Sequence, residues 1–180
     1  LVGSVSGVLV AALGVQPIVA TLVVMVAGRG IAMLMTGGQI ITLQDPTLSF
    51  IGGGHFLGLP FTITLVLGML ALTLLLTRGT ALGLFVEATG DNETASRFCG
   101  VPVRMVKVWV YAFSGWCAAL AGIVAAGNIN AADSARVGEL MELDAIFAVV
   151  VGGTALTGGR FSLVGSLIGA LMIQTLTTTM

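Results

Sequence analysis

Long apolar stretches alternate with short polar ones along the chain, and this pattern predicts membrane-spanning helices. No charged residue occurs within 1–28, 46–77, 108–132 or 161–180. Each of these stretches exceeds the ~18 apolar residues that indicate a helix crossing a bilayer. We therefore expect an all-α, polytopic integral membrane helical bundle. The predicted spans or part-spans, about six in all, are 1–13, 18–36, 60–77, 105–126, 144–158 and 162–178.

The composition agrees with a lipid environment. Hydrophobic residues make up 57% of the chain and charged residues only 8%, against about 25% charged residues in a soluble domain. The net charge of −1 says little about partners, but for a chain this apolar we expect the lipid bilayer, and no nucleic acid, as a partner. Leu1 and Met180 both lie in apolar runs, so we expect a single membrane domain over 1–180, cut at both ends from a longer chain.

One predicted span and two glycine patterns leave alternatives open. The 144–158 segment is short for a crossing and is interrupted by two glycines at 152–153, so it either crosses or forms a re-entrant, broken helix. The Gly-x-x-x-Gly patterns at 3–7 and 165–169 predict close helix packing, either within the chain or across a dimer.

The basic residues predict the orientation in the membrane. Four of the seven lysines and arginines lie between 78 and 107, and short cytoplasmic loops carry the excess of these residues. We therefore expect 78–107 and the turn at 159–160 to be cytoplasmic. Strict alternation then places 37–59 and 127–143 on the outer side.

Residues 83–102 form a polar island, and six of the fifteen charged residues of the chain lie between 87 and 107. It contains the signals of a short helix: Asp91 as the N-terminal cap, Glu93 in the first turn, Gly100 in the left-handed position after the helix, and Pro102 to prevent continuation.

One face of this helix is apolar, because Ala95, Phe98 and Cys99 are three and four residues apart. It is either a solvated loop helix or a docking helix whose Phe98 fills a groove on a cytoplasmic partner.

Several motifs together resemble one family of membrane proteins. The sequence ATGDNETASRFCGV at 88–101 is similar to the cytoplasmic loop of bacterial sugar ABC-importer permeases of the ribose, xylose and galactofuranose class. It departs from that loop at Ser96, where the family usually has alanine. PIVATL at 17–22 and ELDAI at 142–146, followed by GGTALTGGR at 152–160, also resemble family segments. Residues at 27–30, 160–161 and 173–174 favour the galactofuranose type.

The resemblance implies the transmembrane subunit of an ATP-driven importer that moves a monosaccharide across the bacterial inner membrane. Its implied partners are a cytoplasmic ABC ATPase, a periplasmic sugar-binding protein and a second permease subunit in a homo- or heterodimer. The chain itself is then neither an enzyme nor a cofactor-binding protein. The 78–104 segment becomes the coupling loop that contacts the ATPase. The coupling residues are Glu87, Asp91, Asn92, Glu93, Ala95, Arg97, Phe98 and Gly100.

Polar residues near or within spans are further candidates. Arg29 either contacts the sugar in the translocation path, extends to the membrane surface or braces a neighbouring helix. Gln174 either contacts the sugar in the translocation path or forms a hydrogen bond between helices. Four acids on the predicted outer side either dock the binding protein or, for the two at the start of a span, serve as helix N-terminal acids. These acids are Asp133, Glu139, Glu142 and Asp144.

Other functions find little support in the sequence. The glycine-rich 153–160 segment lacks the lysine and hydroxyl ending of a phosphate loop. His55 is the only histidine, and no second ligand type clusters near it, so no metal site is expected. An ion-coupled secondary transporter or channel is the alternative function, but it would usually place a carboxylate near the bilayer midplane. The identity of the sugar and the type of dimer stay open.

Overall fold

The computed structural model describes residues 2–42, 46–56, 58–133, 137–138, 140–155, 158–159 and 161–179. Helices form nearly all of the regular structure there, and the described strands have two residues each, which confirms the all-α fold. The helices are α1 (Val2–Leu13), α2 (Pro17–Thr36), α3 (Pro46–Gly53), α4 (Phe61–Arg78), α5 (Ala81–Asp91), α6 (Glu93–Phe98), α7 (Val103–Ile129), α8 (Met141–Val151) and α9 (Leu163–Thr179). The strands are β1 (Ile41–Thr42), β2 (His55–Phe56), β3 (Leu59–Pro60) and β4 (Ala131–Ala132).

Three helices are long and apolar enough to cross a membrane. They are α2, α4 and α7, with 20, 18 and 27 residues. At 1.5 Å per residue α2 is about 30 Å long, which matches the hydrocarbon thickness of a bilayer. These helices coincide with the predicted spans 18–36, 60–77 and 105–126. The shorter apolar helices α1 and α9 coincide with the predicted spans at 1–13 and 162–178.

The long helices expose their apolar side chains instead of burying them. In α2 only Ala20 is buried, whereas Leu34 is 85% and Met35 is 82% exposed. In α4 no residue is buried. Burial of apolar surface is the main force that folds a chain in water, so helices with this exposure need an apolar environment such as lipid or further protein around them.

The 144–158 segment contains a short helix followed by a turn. Helix α8 has 11 residues, about 16 Å at 1.5 Å per residue, and so covers only half of a bilayer core. The N–H of Gly152 donates to the Ala148 carbonyl at 3.0 Å, and Gly153 has a positive φ of 82°. Of the predicted alternatives, the described residues therefore form the broken arrangement and not one continuous helix. Residues 156–157 lie outside the described residues.

The chain forms two compact units, which we describe separately; the prediction of a single domain over 1–180 stays a prediction. The first unit comprises Leu1–Thr73 and Lys107–Val137. Within it α1 packs against α7 at glycines. A Cβ atom added at Gly3 would lie 2.9 Å from the Gly115 Cα, and one added at Gly7 would lie 3.0 Å from the Tyr111 Cβ. The first Gly-x-x-x-Gly pattern therefore packs within the chain.

Two segments predicted on the outer side also meet in the first unit. Strand β1 pairs with β4 in antiparallel register, with Ile41 opposite Ala132 and Thr42 opposite Ala131. Helix α3 approaches the end of α7 closely, because a Cβ atom at Gly127 would lie 3.1 Å from the backbone nitrogen of Gly52. The segments at 37–59 and 127–143 thus lie together, as the predicted orientation requires.

The second unit comprises Leu74–Val106 and Gly138–Met180. Its helices α8 and α9 form an antiparallel hairpin with backbone contacts. A Cβ atom at Gly165 would lie 3.0 Å from the Gly152 carbonyl carbon, and one at Gly169 would lie 3.0 Å from the Ala148 carbonyl carbon. The second Gly-x-x-x-Gly pattern therefore also packs within the chain.

Candidate functional site

The polar island folds into two helices, α5 and α6, that meet at Asn92. Asn92 has extended backbone angles, and its N–H donates to the Ala88 carbonyl at 3.1 Å, which ends α5. Its side-chain Oδ1 accepts a hydrogen bond from the Ala95 N–H at 3.0 Å, which caps α6. The prediction that Asp91 caps α6 is wrong. Asp91 is the last helical residue of α5, so it lacks the extended backbone of an N-cap residue.

Helix α6 ends as the sequence predicts. Gly100 has φ of 83°, a conformation that glycine adopts at little cost. Its N–H donates to the Arg97 carbonyl, and the Val101 N–H donates to the Ser96 carbonyl, both at 3.0 Å. These two bonds form a Schellman motif, which satisfies carbonyls that a helix end otherwise leaves unpaired.

A buried hydroxyl attaches α6 to α5. Ser96 is only 6% exposed, and its Oγ donates to the Ala88 carbonyl at 2.7 Å. The same carbonyl accepts from the Asn92 N–H, so two hydrogen bonds hold the junction. Ser96 is the position at which the loop departs from its family pattern, and sequence reasoning treated the change as mild. The sequence does contain a signal for this contact, namely the hydroxyl of Ser96 within a short helix of six residues.

The apolar face of α6 is open. Ala95, Phe98 and Cys99 are all exposed, and Phe98 is 87% exposed. Leaving an aromatic side chain in water forfeits about 1.5–3 kcal/mol of burial energy. The structure therefore brings the three predicted docking residues onto one accessible surface, with Ser96 turned inward to hold it.

Charged groups surround this face. Arg97 Nη2 lies 2.7 Å from Glu93 Oε1, with side-chain exposures of 54% and 38%. An exposed pair of this spacing stabilises a helix by only about 0.3–0.5 kcal/mol, so it contributes little to holding the fold. Of the other predicted coupling residues, Glu87 lies half-buried in α5, and Asp91 is exposed.

A shallow groove of about 410 Å³ opens where α6 leads into α7. The residues that line it are Arg97, Pro102, Val103, Arg104 and Met105. Arginine is suited to bidentate hydrogen bonds with carboxylates. The groove can therefore accept an acidic group.

Helix α5 was missed by sequence reasoning, which predicted one short helix in this region. Its start is marked by Thr80, whose Oγ1 accepts a hydrogen bond from the Leu82 N–H at 3.3 Å. A threonine before a run with apolar residues at 82, 85 and 86 is a helix-start signal. The run directly follows a predicted span, and this hid the boundary.

The predicted sugar-path residues lie in separate units. Arg29 is half-buried in α2 in the first unit, and Gln174 is exposed on α9 in the second. Among the described residues neither side chain has a hydrogen bond or ion pair. The interhelical bond suggested for Gln174 is therefore not formed within the described chain, and the path roles stay predictions.

The acids predicted to dock the binding protein also lie in both units. Asp133 follows β4 in the first unit, whereas Glu142 and Asp144 occupy the first turn of α8 in the second. Acids in a first helical turn are stabilised by the positive end of the helix dipole, as the simpler alternative predicted. Glu139 lies outside the described residues.

Comparison with known proteins gives a consistent result. A family profile described as the permease component of the branched-chain amino acid transport system matches residues 1–180. The galactofuranose transporter permease protein of Escherichia coli strain K12 is 51% identical over 99% of this chain and 52% of its own length. The fructose import permease protein of Bifidobacterium longum is 41% identical over 96% of this chain and 49% of its own.

A ribose import permease protein of Haemophilus influenzae is 41% identical over 96% of this chain and 54% of its own length. The chain thus spans about half the length of the curated relatives it matches. No solved structure matches it.

Proposed function

Because the chain belongs to the family of branched-chain amino acid transport permease components, we propose that it is the transmembrane subunit of an ATP-driven sugar importer in the bacterial inner membrane. Its long apolar helices form the membrane part, and ATP hydrolysis takes place on a separate cytoplasmic subunit. The observation that carries this proposal is Phe98, 87% exposed on a capped helix that lies between two membrane-length helices.

The transported molecule is a monosaccharide in this proposal. The relatives named for galactofuranose, fructose and ribose all align with nearly the whole chain. The galactofuranose permease is about ten percentage points more identical than the other two, at 51% against 41%. A galactofuranose-like sugar is therefore the first substrate to test, with ribose as the comparison.

The ion-driven alternative has a specific requirement that the sequence does not meet. A secondary transporter usually places a carboxylate near the middle of a membrane helix. Helices α2, α4, α7 and α9 contain no aspartate or glutamate. Along the chain, the described acid nearest to one of these helices is Asp133, which lies outside α7, four residues after its end at Ile129.

In this mechanism the ATPase binds the apolar face of α6 and displaces the helix. A groove in the ATPase takes the Phe98 ring, and an acidic group of the ATPase pairs with the arginines of the adjacent groove. ATP binding then shifts the population of the permease between outward-open and inward-open states. A second permease subunit completes the pathway, and a periplasmic sugar-binding protein delivers the sugar to the outer side.

The test is Phe98→Ala in the reconstituted transporter. The loss of an interface hot spot should weaken ATPase association by about 2–4 kcal/mol and reduce sugar uptake in parallel. Pull-down of the ATPase and uptake of the two sugars measure this. Phe147→Ala is the matched control, because Phe147 is 56% exposed on α8 and should leave association unchanged. Normal association and uptake in Phe98→Ala would reject the coupling role of α6.

A further inference from the structure

The turn that precedes α9 touches the end of α5. A Cβ atom added at Gly158 would lie 2.5 Å from the Gly90 carbonyl oxygen, and one added at Gly90 would lie 2.8 Å from the Gly159 backbone nitrogen. All three residues belong to the second unit. The two backbones are therefore in direct contact, with no side chain between them.

We call this contact between Gly90, Gly158 and Gly159 the glycine seam. A different structural requirement explains glycine on each side of it. Gly158 and Gly159 have φ of 98° and 93°, which other residues rarely adopt. Gly90 lies within α5 and has ordinary helical angles, so its conformation does not require glycine. In a helix, glycine costs about 1 kcal/mol relative to alanine. The close approach of the turn is the feature that explains Gly90.

The glycine seam connects two rigid parts of the unit. On one side Gly90 is two residues from Asn92, which joins α5 to α6, and the Ser96 hydroxyl fixes α6 onto the Ala88 carbonyl at 2.7 Å. On the other side the turn lies between α8 and α9, which pack on each other through glycine contacts. The end of α5 is thus hydrogen-bonded to α6 on one side and touches the 158–159 turn on the other.

We propose that the glycine seam transmits the movement of α6 to the α8–α9 hairpin during transport. This inference rests on the proposed function, since it assigns the path taken by a movement that the ATPase starts. Backbone contact suits this role, because a seam without side chains has no rotamers that could absorb a small displacement. The hairpin would then change position with the nucleotide state of the partner.

The test uses Gly90→Ala in the reconstituted transporter. The alanine is favoured by the helix itself, so the variant disturbs the seam and not α5. We expect ATPase association to be normal, while sugar uptake per ATP hydrolysed falls between about twofold and thirtyfold, the range of coupling changes along a contact network. Gly122→Ala is the matched control, since Gly122 is also helical and has open space around it, and its uptake should be unchanged.

A second variant guards against a folding defect in the first. Gly90→Ser also places a Cβ against the Gly159 backbone nitrogen at a position where the helical backbone itself accepts a side chain, and it should lose uptake in the same way. Normal coupling in both variants, or loss of ATPase association in both, would overturn the role of the seam. The proposed function fails separately, when the wild-type chain recruits no ATPase or when Phe98→Ala binds it normally.

Discussion

Leu34 of α2 and Phe98 of α6 are exposed to nearly the same degree, 85% and 87%, yet their surroundings differ. Leu34 belongs to a 20-residue helix whose only charge is Arg29. Phe98 belongs to a six-residue helix that carries an ion pair and is followed by two more basic residues, at 104 and 107. The first side chain suits lipid, whereas the second stands in water unless a protein covers it.

The difference shows that exposure alone does not identify a binding surface in a membrane protein. Large apolar side chains are exposed along all the long helices. The informative feature is an exposed aromatic ring among charges, on a helix held at both ends by its own hydrogen bonds. Such a ring is a candidate for contact with a partner protein.

The largest expected effect comes from placing a charge on each surface. Val23→Lys, at a position 60% exposed in α2, should raise the free energy of inserting α2 by about 2.5–3.5 kcal/mol, the cost of a lysine near the centre of a membrane helix. Phe98→Lys should leave insertion unchanged, since its surroundings are already aqueous. A glycosylation-tag insertion assay measures both.

Equal insertion of the Val23→Lys and wild-type chains would show that α2 does not face lipid. Failure of Phe98→Lys to insert would place α6 inside the membrane. Either result breaks the distinction between the two surfaces.

A smaller difference is expected in the labelling rates of the two cysteines, one of which lies at the end of α6 and the other in the membrane-length helix α7. Cys99 is exposed at the end of α6, and Cys117 is half-buried inside α7; both are free thiols. A membrane-impermeant maleimide should label Cys99 faster than Cys117 in lysed cells, because a charged reagent is costly to bring into the hydrocarbon core around α7. Cys117→Ser and Cys99→Ser variants separate the two signals.

The same reagent checks the orientation. Cys99 should react only after cells are lysed, since the excess of basic residues predicts a cytoplasmic loop. Strong labelling at position 99 in intact cells would reverse the topology.

The smallest effect concerns how firmly α6 is held. Ser96→Ala removes one hydrogen bond, but the Ala88 carbonyl keeps its bond from the Asn92 N–H at 3.1 Å. We therefore expect a loss of about 0.5–1.5 kcal/mol, seen as faster amide hydrogen exchange over residues 93–99. Thr94→Ala is the control, because Thr94 is exposed on the same helix. Unchanged exchange in Ser96→Ala would mean that other contacts fix the helix.

The sequence predicts the long helices well, because a membrane span requires a long run of mostly apolar residues. It also predicts the end of α6 at Gly100, where a positive φ selects glycine. It fails at Asp91, since Asp91 and Asn92 are both good caps, and only the position at which α5 ends decides between them.

The contacts of Gly90 and Ser96 could not be read from local pattern. The partner of Gly90 is the 158–159 turn, which is distant in sequence, and periodicity carries no information on such pairs. The partner of Ser96 is a carbonyl of α5, a helix whose existence was itself missed. Both misses concern how elements meet, where the sequence indicated contacts only through its two Gly-x-x-x-Gly patterns.

The glycine pairs described above also constrain how this sequence can diverge. At the Gly3–Gly115, Gly52–Gly127 and Gly152–Gly165 contacts, both partners are glycine and the backbones themselves approach. In an ordinary core contact, a larger residue on one side can be compensated by a smaller one opposite. Here the opposite residue is already the smallest one, so no second substitution restores the fit. We expect such positions to change together with a shift of the helix axis, or not to change at all.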